Sequence, residues 1–224
     1  MMNNLFSIFD PTTSELLSLN WLSSIYVFIF FPFMYWFIPS RWNYMYVKLF
    51  GLLNGEFKTL LYNKKIKLIN LLFFIGLFIL ILDNNFLGLF PYIFTATSHL
   101  SMTLTLALVL WLANMMFNLI KNFNNTMSHM VPKGTPWYLM FFMVVVETFS
   151  NLIRPMTLCI RLTANMVAGH LLLSLMSGMF EFASLYNCWF MMFAECMLLI
   201  LEISVSLIQA YVFTVLVVLY NAEV

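Results

Sequence analysis

Apolar residues run in five blocks along the 224-residue chain, separated by short polar stretches. The blocks extend from about Trp21 to Ile38, Leu68 to Phe90, Leu100 to Ile120, Trp137 to Met176 and Tyr186 to Tyr220. Inside each block the apolar positions are continuous rather than alternating, which favours helices over the period-two pattern of a membrane barrel. A bilayer core offers the backbone no water, so a spanning segment must be a helix or part of a closed barrel. The expected fold is all-α, with five membrane helices in a single membrane domain. A perpendicular span needs about 20 residues, and the last two blocks offer roughly 35 to 40 each, over 50 Å at about 1.5 Å per residue. Residues 137–222 therefore read as a long, tilted helical hairpin, with Pro155 as a bend point. Residues 68–122 read as a shorter hairpin.

The stretch 39–67 follows a different pattern. Tyr46, Leu49, Phe50, Leu53, Phe57, Leu60 and Leu61 recur at helical spacing among Arg41, Lys48, Lys58, Lys64, Lys65 and Lys67, with Glu56 as the one acid. This predicts an amphipathic helix on the membrane surface. The charges also set topology. Asp10 and Glu15 precede the first block, Asp83 lies at 83–99 without Lys or Arg, and Glu181 lies in the turn at 177–185. Lys121 and Lys133 mark the connection at 121–136. Sign alternates at each crossing, which puts the N-terminus outside and the basic connections and C-terminus inside. The opening MMNNLFSIFDPTTSELL lacks the basic residues of a targeting signal. The chain is expected to insert through its own first helix or to be made inside its organelle.

Composition agrees with a lipid-facing protein. Hydrophobic residues make up 63% and charged residues 8%, against about 25% charged in a soluble domain. Cys159, Cys188 and Cys196 lie in apolar sequence without metal-ligand spacing and read as inert buried thiols. The 18 Met and 25 Phe residues read as packing or lipid-facing groups. No cofactor, metal or nucleic acid is called for.

With so few charges, those at membrane depth are functional candidates. The fourth block holds Glu147, Arg154, Arg161 and His170, and the fifth holds Glu195 and Glu202, with Glu223 at its end. Positions seven apart share a helix face. Glu147, Asn151, Arg154, Arg161 and Asn165 thus form one stripe about 27 Å long at 1.5 Å per residue. Glu195, Glu202, Ser206 and Gln209 form a second. His170 lies half a turn away from the first stripe. Polar side chains can simply tie helices together, but two stripes on adjacent helices are better explained by a hydrated path. A hairpin folded about residues 185–186 sets Arg161 opposite Gln209, His170 opposite Glu202 and Glu147 opposite Glu223. Arg161 keeps its proton throughout the physiological range, so it cannot carry one. It has no carboxylate of the hairpin at its own level, which implies a carboxylate on another chain.

The segment RLTANMVAGH (161–170) resembles the signature of subunit a of F-type ATP synthases. So do NNFLGLFPYIFTATSHL (84–100), VETFSNLIRPMTL (146–158) and LEISVSLIQAYVFTVL (201–216). The combination of His170 with Glu202 resembles the mitochondrial form, whereas bacterial relatives tend to exchange these residue types. The resemblance implies that Arg161 faces the rotor carboxylates of the c-ring. It implies an inlet from the intermembrane space lined by His170, Glu202 and Glu195, and an outlet to the matrix lined by Glu147 and Glu223. Asn165 and Gln209 would flank the arginine. Other stator and peripheral-stalk subunits, and membrane lipid, are the further partners it implies. Its place is the mitochondrial inner membrane, with the N-terminus towards the intermembrane space and the C-terminus towards the matrix. The chain would bind no nucleotide and perform no catalysis by itself. No role carries over to residues 177–190.

A proton-coupled transporter or respiratory-complex subunit is the alternative. It predicts internal repeats and discontinuous helices, and the two long blocks are not copies of each other. A haem protein needs paired histidines, and His99, His129 and His170 sit in separate segments.

Overall fold

The computed structural model describes residues 5–14, 17–30, 37–60, 68–90, 93–121, 123–131, 136–180 and 185–223. Every regular element among them is helical. The α-helices are α1 (Ser23–Phe30), α2 (Arg41–Leu60), α3 (Leu68–Gly88), α4 (Leu100–Lys121), α5 (Phe123–His129), α6 (Met140–Met179) and α7 (Leu185–Glu223). Single 3-10 turns occur at Leu5–Phe9, Leu19–Leu22, Ala96–Ser98 and Trp137–Leu139. Four stretches are long and apolar enough to cross a bilayer: Leu71–Gly88, Leu100–Lys121, Trp137–Met179 and Asn187–Asn221. The first expected span begins with α1, but residues 31–36 of that block lie outside the described residues.

The long hairpin is present. α6 has 40 residues and α7 has 39, and contacts between them descend α7 as they climb α6. Arg154 lies over the ring of Tyr220, Asn165 bonds Gln209, and Gly169 abuts Glu202. The helices are therefore antiparallel. α6 continues unbroken through Pro155; the proline removes one backbone hydrogen bond, but it ends no helix here. It is buried, as are Leu158, Cys159, Leu162 and Met166 on the same helix.

The shorter helices pack on this hairpin. α4 lies mainly against α6 and α3 mainly against α7, so the 68–122 segment is organised by the long helices more than by its own pairing. Thr103 Oγ1 and Cys159 Sγ are 3.1 Å apart across the α4–α6 contact. Asn221 donates from Nδ2 to Asn114 Oδ1 at 3.3 Å, joining α7 to α4. Phe74, Phe78 and Ile81 of α3 and Ala210, Phe213 and Val218 of α7 belong to one buried cluster. Full burial of such a side chain contributes about 1.5–3 kcal/mol in water, and close packing replaces that term where lipid is the solvent.

Of the stretch 39–67, Arg41–Leu60 is a helix, while Leu61, Lys64, Lys65 and Lys67 lie outside the described residues. Leu53 and Phe57 are buried, and Tyr211 of α7 donates from its hydroxyl to Glu56 Oε2 at 3.0 Å. Trp42, Met45 and Leu52 stay exposed. Burial, and secondarily the carboxylate of Asp83, push the Tyr46 phenol above its ordinary range. The start of α2 thus lies close enough to the end of α3 to feel its charge. One cysteine expectation needs correction: Cys159 is buried, but Cys188 is half-buried and Cys196 is exposed. Helical position alone does not say which face meets a neighbour.

Candidate functional site

The site begins with which face of α6 is left uncovered. Pro155, Leu158, Cys159, Leu162, Thr163 and Met166 turn inward. Thr157, Arg161, Ala164, Asn165 and Ala168 are all exposed, and their spacing puts them on one face. Four small or short side chains therefore surround one guanidinium. Among the described residues no hydrogen bond or carboxylate engages Arg161. On α7, Ser204, Ile208 and Tyr211 are also exposed.

At Gln209 the hairpin register differs from the sequence expectation by about one turn, whereas at Glu202 it falls within one residue of it. Gln209 receives a hydrogen bond at Oε1 from Asn165 Nδ2, at 3.1 Å, where Arg161 had been expected opposite it. Gln209 itself is buried, and its Nε2 has no partner among the described residues. The contact joins the two residues expected to flank the arginine. It also places Asn165 between the arginine and the second stripe.

Eight residues beyond the arginine, α6 and α7 nearly touch. A Cβ built on Gly169 would lie 2.5 Å from Glu202 Oε1 and 2.9 Å from its Cδ. Only glycine lets the helices close around this carboxylate. Both Glu202 oxygens and His170 Nε2 are buried without a hydrogen-bond partner among the described residues. Burying a carboxylate without a partner costs several kcal/mol unless it is protonated or hydrated. The structure therefore brings His170 and Glu202 to the same level, joined through Gly169 rather than by a direct hydrogen bond. We expect Gly169→Ala to displace the Glu202 carboxylate while the helices stay packed. Proton-driven ATP synthesis per assembled complex should then fall about 10- to 100-fold, the scale of an ångström's misplacement. An unchanged rate would show that the carboxylate's position is immaterial.

The remaining expected residues are spread along the hairpin. Glu195 is half-buried on α7. Glu147 is half-buried near the start of α6, and its carbonyl accepts from Ser150 at 2.9 Å. Arg154, on the same side of Arg161 as Glu147, lies 5.6 Å from the Tyr220 ring centre. Glu223 ends α7, and its side chain lies outside the described residues.

Sequence reasoning missed a second set of buried polar groups. Asp83 Oδ2, both amide atoms of Asn85, Thr97 Oγ1 and His99 Nε2 are buried without partners among the described residues. The signal is the Asp83-Asn84-Asn85 triplet near the end of an apolar block, which charge alone assigns to the 83–99 connection but which lies within α3. A Cβ on Gly88 would meet Thr95 Cγ2 at 2.8 Å and Met166 Cε at 3.3 Å. The 93–99 segment is thus pressed against α6 one turn before His170.

An exposed arginine among small residues, with an acid and an imidazole buried two turns away on a helical hairpin, can be set against known proteins. A family model described as ATP synthase A chain matches residues 17–222. The chain belongs to that family. Its full length aligns with the full length of ATP synthase subunit a from Drosophila melanogaster at 50% identity, over 228 residues. The corresponding proteins of Anopheles gambiae and Locusta migratoria are 50% and 48% identical, again over 100% of both chains. The chain is accordingly a proton-channel subunit of the membrane sector of ATP synthase. It acts as part of that complex.

Proposed function

We propose that this chain forms two offset half-channels against the c-ring and that Arg161 is the fixed charge between them. The exposed face of α6 carries the reading. A guanidinium turned to lipid costs about 2.5–3.5 kcal/mol, and small neighbours let another helix approach closely. A helix bearing a carboxylate at this level would satisfy the charge and use the space. The rotor carboxylates of the c-ring are such groups.

Protons enter from the outer side past Glu195, Glu202 and His170. A proton taken up by a rotor carboxylate removes its charge and allows the carboxyl to face lipid. After the ring turns, the carboxyl releases the proton towards Glu147 and Glu223 on the inner side. Arg161 then favours the ionised form, and Asn165, bonded to Gln209, flanks it. The setting is the mitochondrial inner membrane, with the N-terminus towards the intermembrane space and the C-terminus towards the matrix. The alternation of acidic and basic connections supports this orientation. It also supports the first apolar block as a fifth span. Neighbouring stator and peripheral-stalk subunits complete the membrane sector.

Cross-linking tests the rotor contact. Ala164→Cys stands one turn from Arg161 on the exposed face, whereas Leu162→Cys is buried. Paired with a cysteine beside the acidic residue of the rotor subunit, Ala164→Cys should form a product containing both chains, and Leu162→Cys should not. Equal yields from the two positions would contradict the proposed face.

A further inference from the structure

The N-terminal segment reaches across the outer end of the hairpin, and the inlet reading above makes no use of it. Its 3-10 turn Leu5–Phe9 packs against α6. Phe9 meets the imidazole of His170 edge-on, with ring centres 6.3 Å apart and planes at 83°. That geometry lies within the favourable range for aromatic pairs. The segment is held at several points. Asn20 donates from Nδ2 to the Asp10 carbonyl at 3.1 Å, and Thr13 Oγ1 donates to the Leu17 carbonyl at 2.8 Å. Beyond them, Trp21 packs on Phe94 and His99, and Ser23 Oγ donates to the Phe94 carbonyl at 2.9 Å. The described residues 5–14 and 17–23 are thus tied to the 93–99 segment through Trp21 and Ser23 and to His170 through Phe9.

No hydrogen bond holds the His170 ring among the described residues, and its Nε2 is buried. Its orientation consequently depends on what packs against it. Phe9 supplies an aromatic neighbour at that place, from a part of the chain that precedes the family match at residue 17. We propose that Phe9 is a positioning residue for proton entry, fixing the His170 ring so that it serves the Glu202 carboxylate. This rests on the reading of His170 and Glu202 as the inlet. The titratable groups on elements packed against α6 at this end are Glu202 and Glu195 on α7, Asp10 beside Phe9, and His99 after the Ala96–Ser98 turn. Phe9 carries no charge, so its replacement leaves all four in place.

The test measures proton-driven ATP synthesis by the assembled complex in vesicles while the pH on the inlet side is varied. Phe9→Ala should lower the rate about three- to tenfold, the scale of an edge-on aromatic pair. It should also displace the pH midpoint by about 0.3–1 unit, and Phe9→Tyr should restore both. Where Phe9→Ala does not assemble, Phe9→Leu, which keeps the bulk and removes the ring, should show the same displacement. Unchanged rate and midpoint, or a lower rate at an unmoved midpoint, would overturn the proposal. His170→Ala measured in parallel separates the two layers. Normal synthesis in that variant removes the inlet reading and this inference with it. Loss in that variant beside a normal Phe9→Ala removes this inference alone.

Discussion

Arg161→Ala is expected to abolish proton-driven ATP synthesis while the complex still assembles. Assembly should survive because no described residue of this chain bonds the guanidinium; the inward face of α6 is made by Leu158, Cys159, Leu162 and Met166. On the proposed function, synthesis should not survive, because the positive charge would favour an ionised rotor carboxylate between the half-channels. Two unit charges at 4 Å attract by about 4 kcal/mol at an effective dielectric near 20, and each 1.4 kcal/mol is a factor of ten. Losing that term changes the ionised fraction of the passing carboxyl about a thousandfold. A proton crossing 100 mV releases roughly 2.3 kcal/mol. The proposed pairing would thus be comparable in size to the driving force, so it could direct protons without locking the ring. Removal of Arg154, which lies over Tyr220, should leave a functioning though slower complex.

Glu202→Gln is expected to have the second-largest effect, about 100-fold or more on the rate, the scale of a lost proton relay. Glutamine keeps the shape of the side chain and its fit against Gly169, so the packing there should be unchanged. What it loses is the ability to take up and release a proton. Both Glu202 oxygens are buried without a partner among the described residues, so no ion pair among them is broken by the change. The rate per assembled complex, compared with assembly itself, separates the two contributions. A rate within twofold of the unaltered chain would remove Glu202 from the path. Exchange of His170 and Glu202 should recover part of the loss that either single change causes.

Much of this architecture could be read from the residues. α3 and α4 begin where the apolar blocks begin, because a long unbroken apolar run in a membrane has no other way to satisfy its backbone. The two long helices followed from block length alone. Arg161, His170 and Glu202 stood out because charge is rare in this chain and costly at depth. The hairpin register was less legible. At 3.6 residues per turn, a shift of about one turn keeps polar stripes facing each other, so the sequence could not choose between Arg161 and Asn165 as the partner of Gln209. The closeness of Gly169 to Glu202 was invisible for a related reason, since a glycine within a helix reads only as a weak helix former. Contacts far apart in sequence, such as Phe9 on His170 and Tyr211 on Glu56, depend on the path of the connections, and no local periodicity encodes that path.

The most direct measurement is ATP formed per mole of assembled complex, under an imposed proton gradient, with and without Arg161→Ala. Normal assembly and no synthesis above background are expected in the variant. Synthesis near the unaltered rate would contradict the assignment of Arg161 as the charge that separates the half-channels.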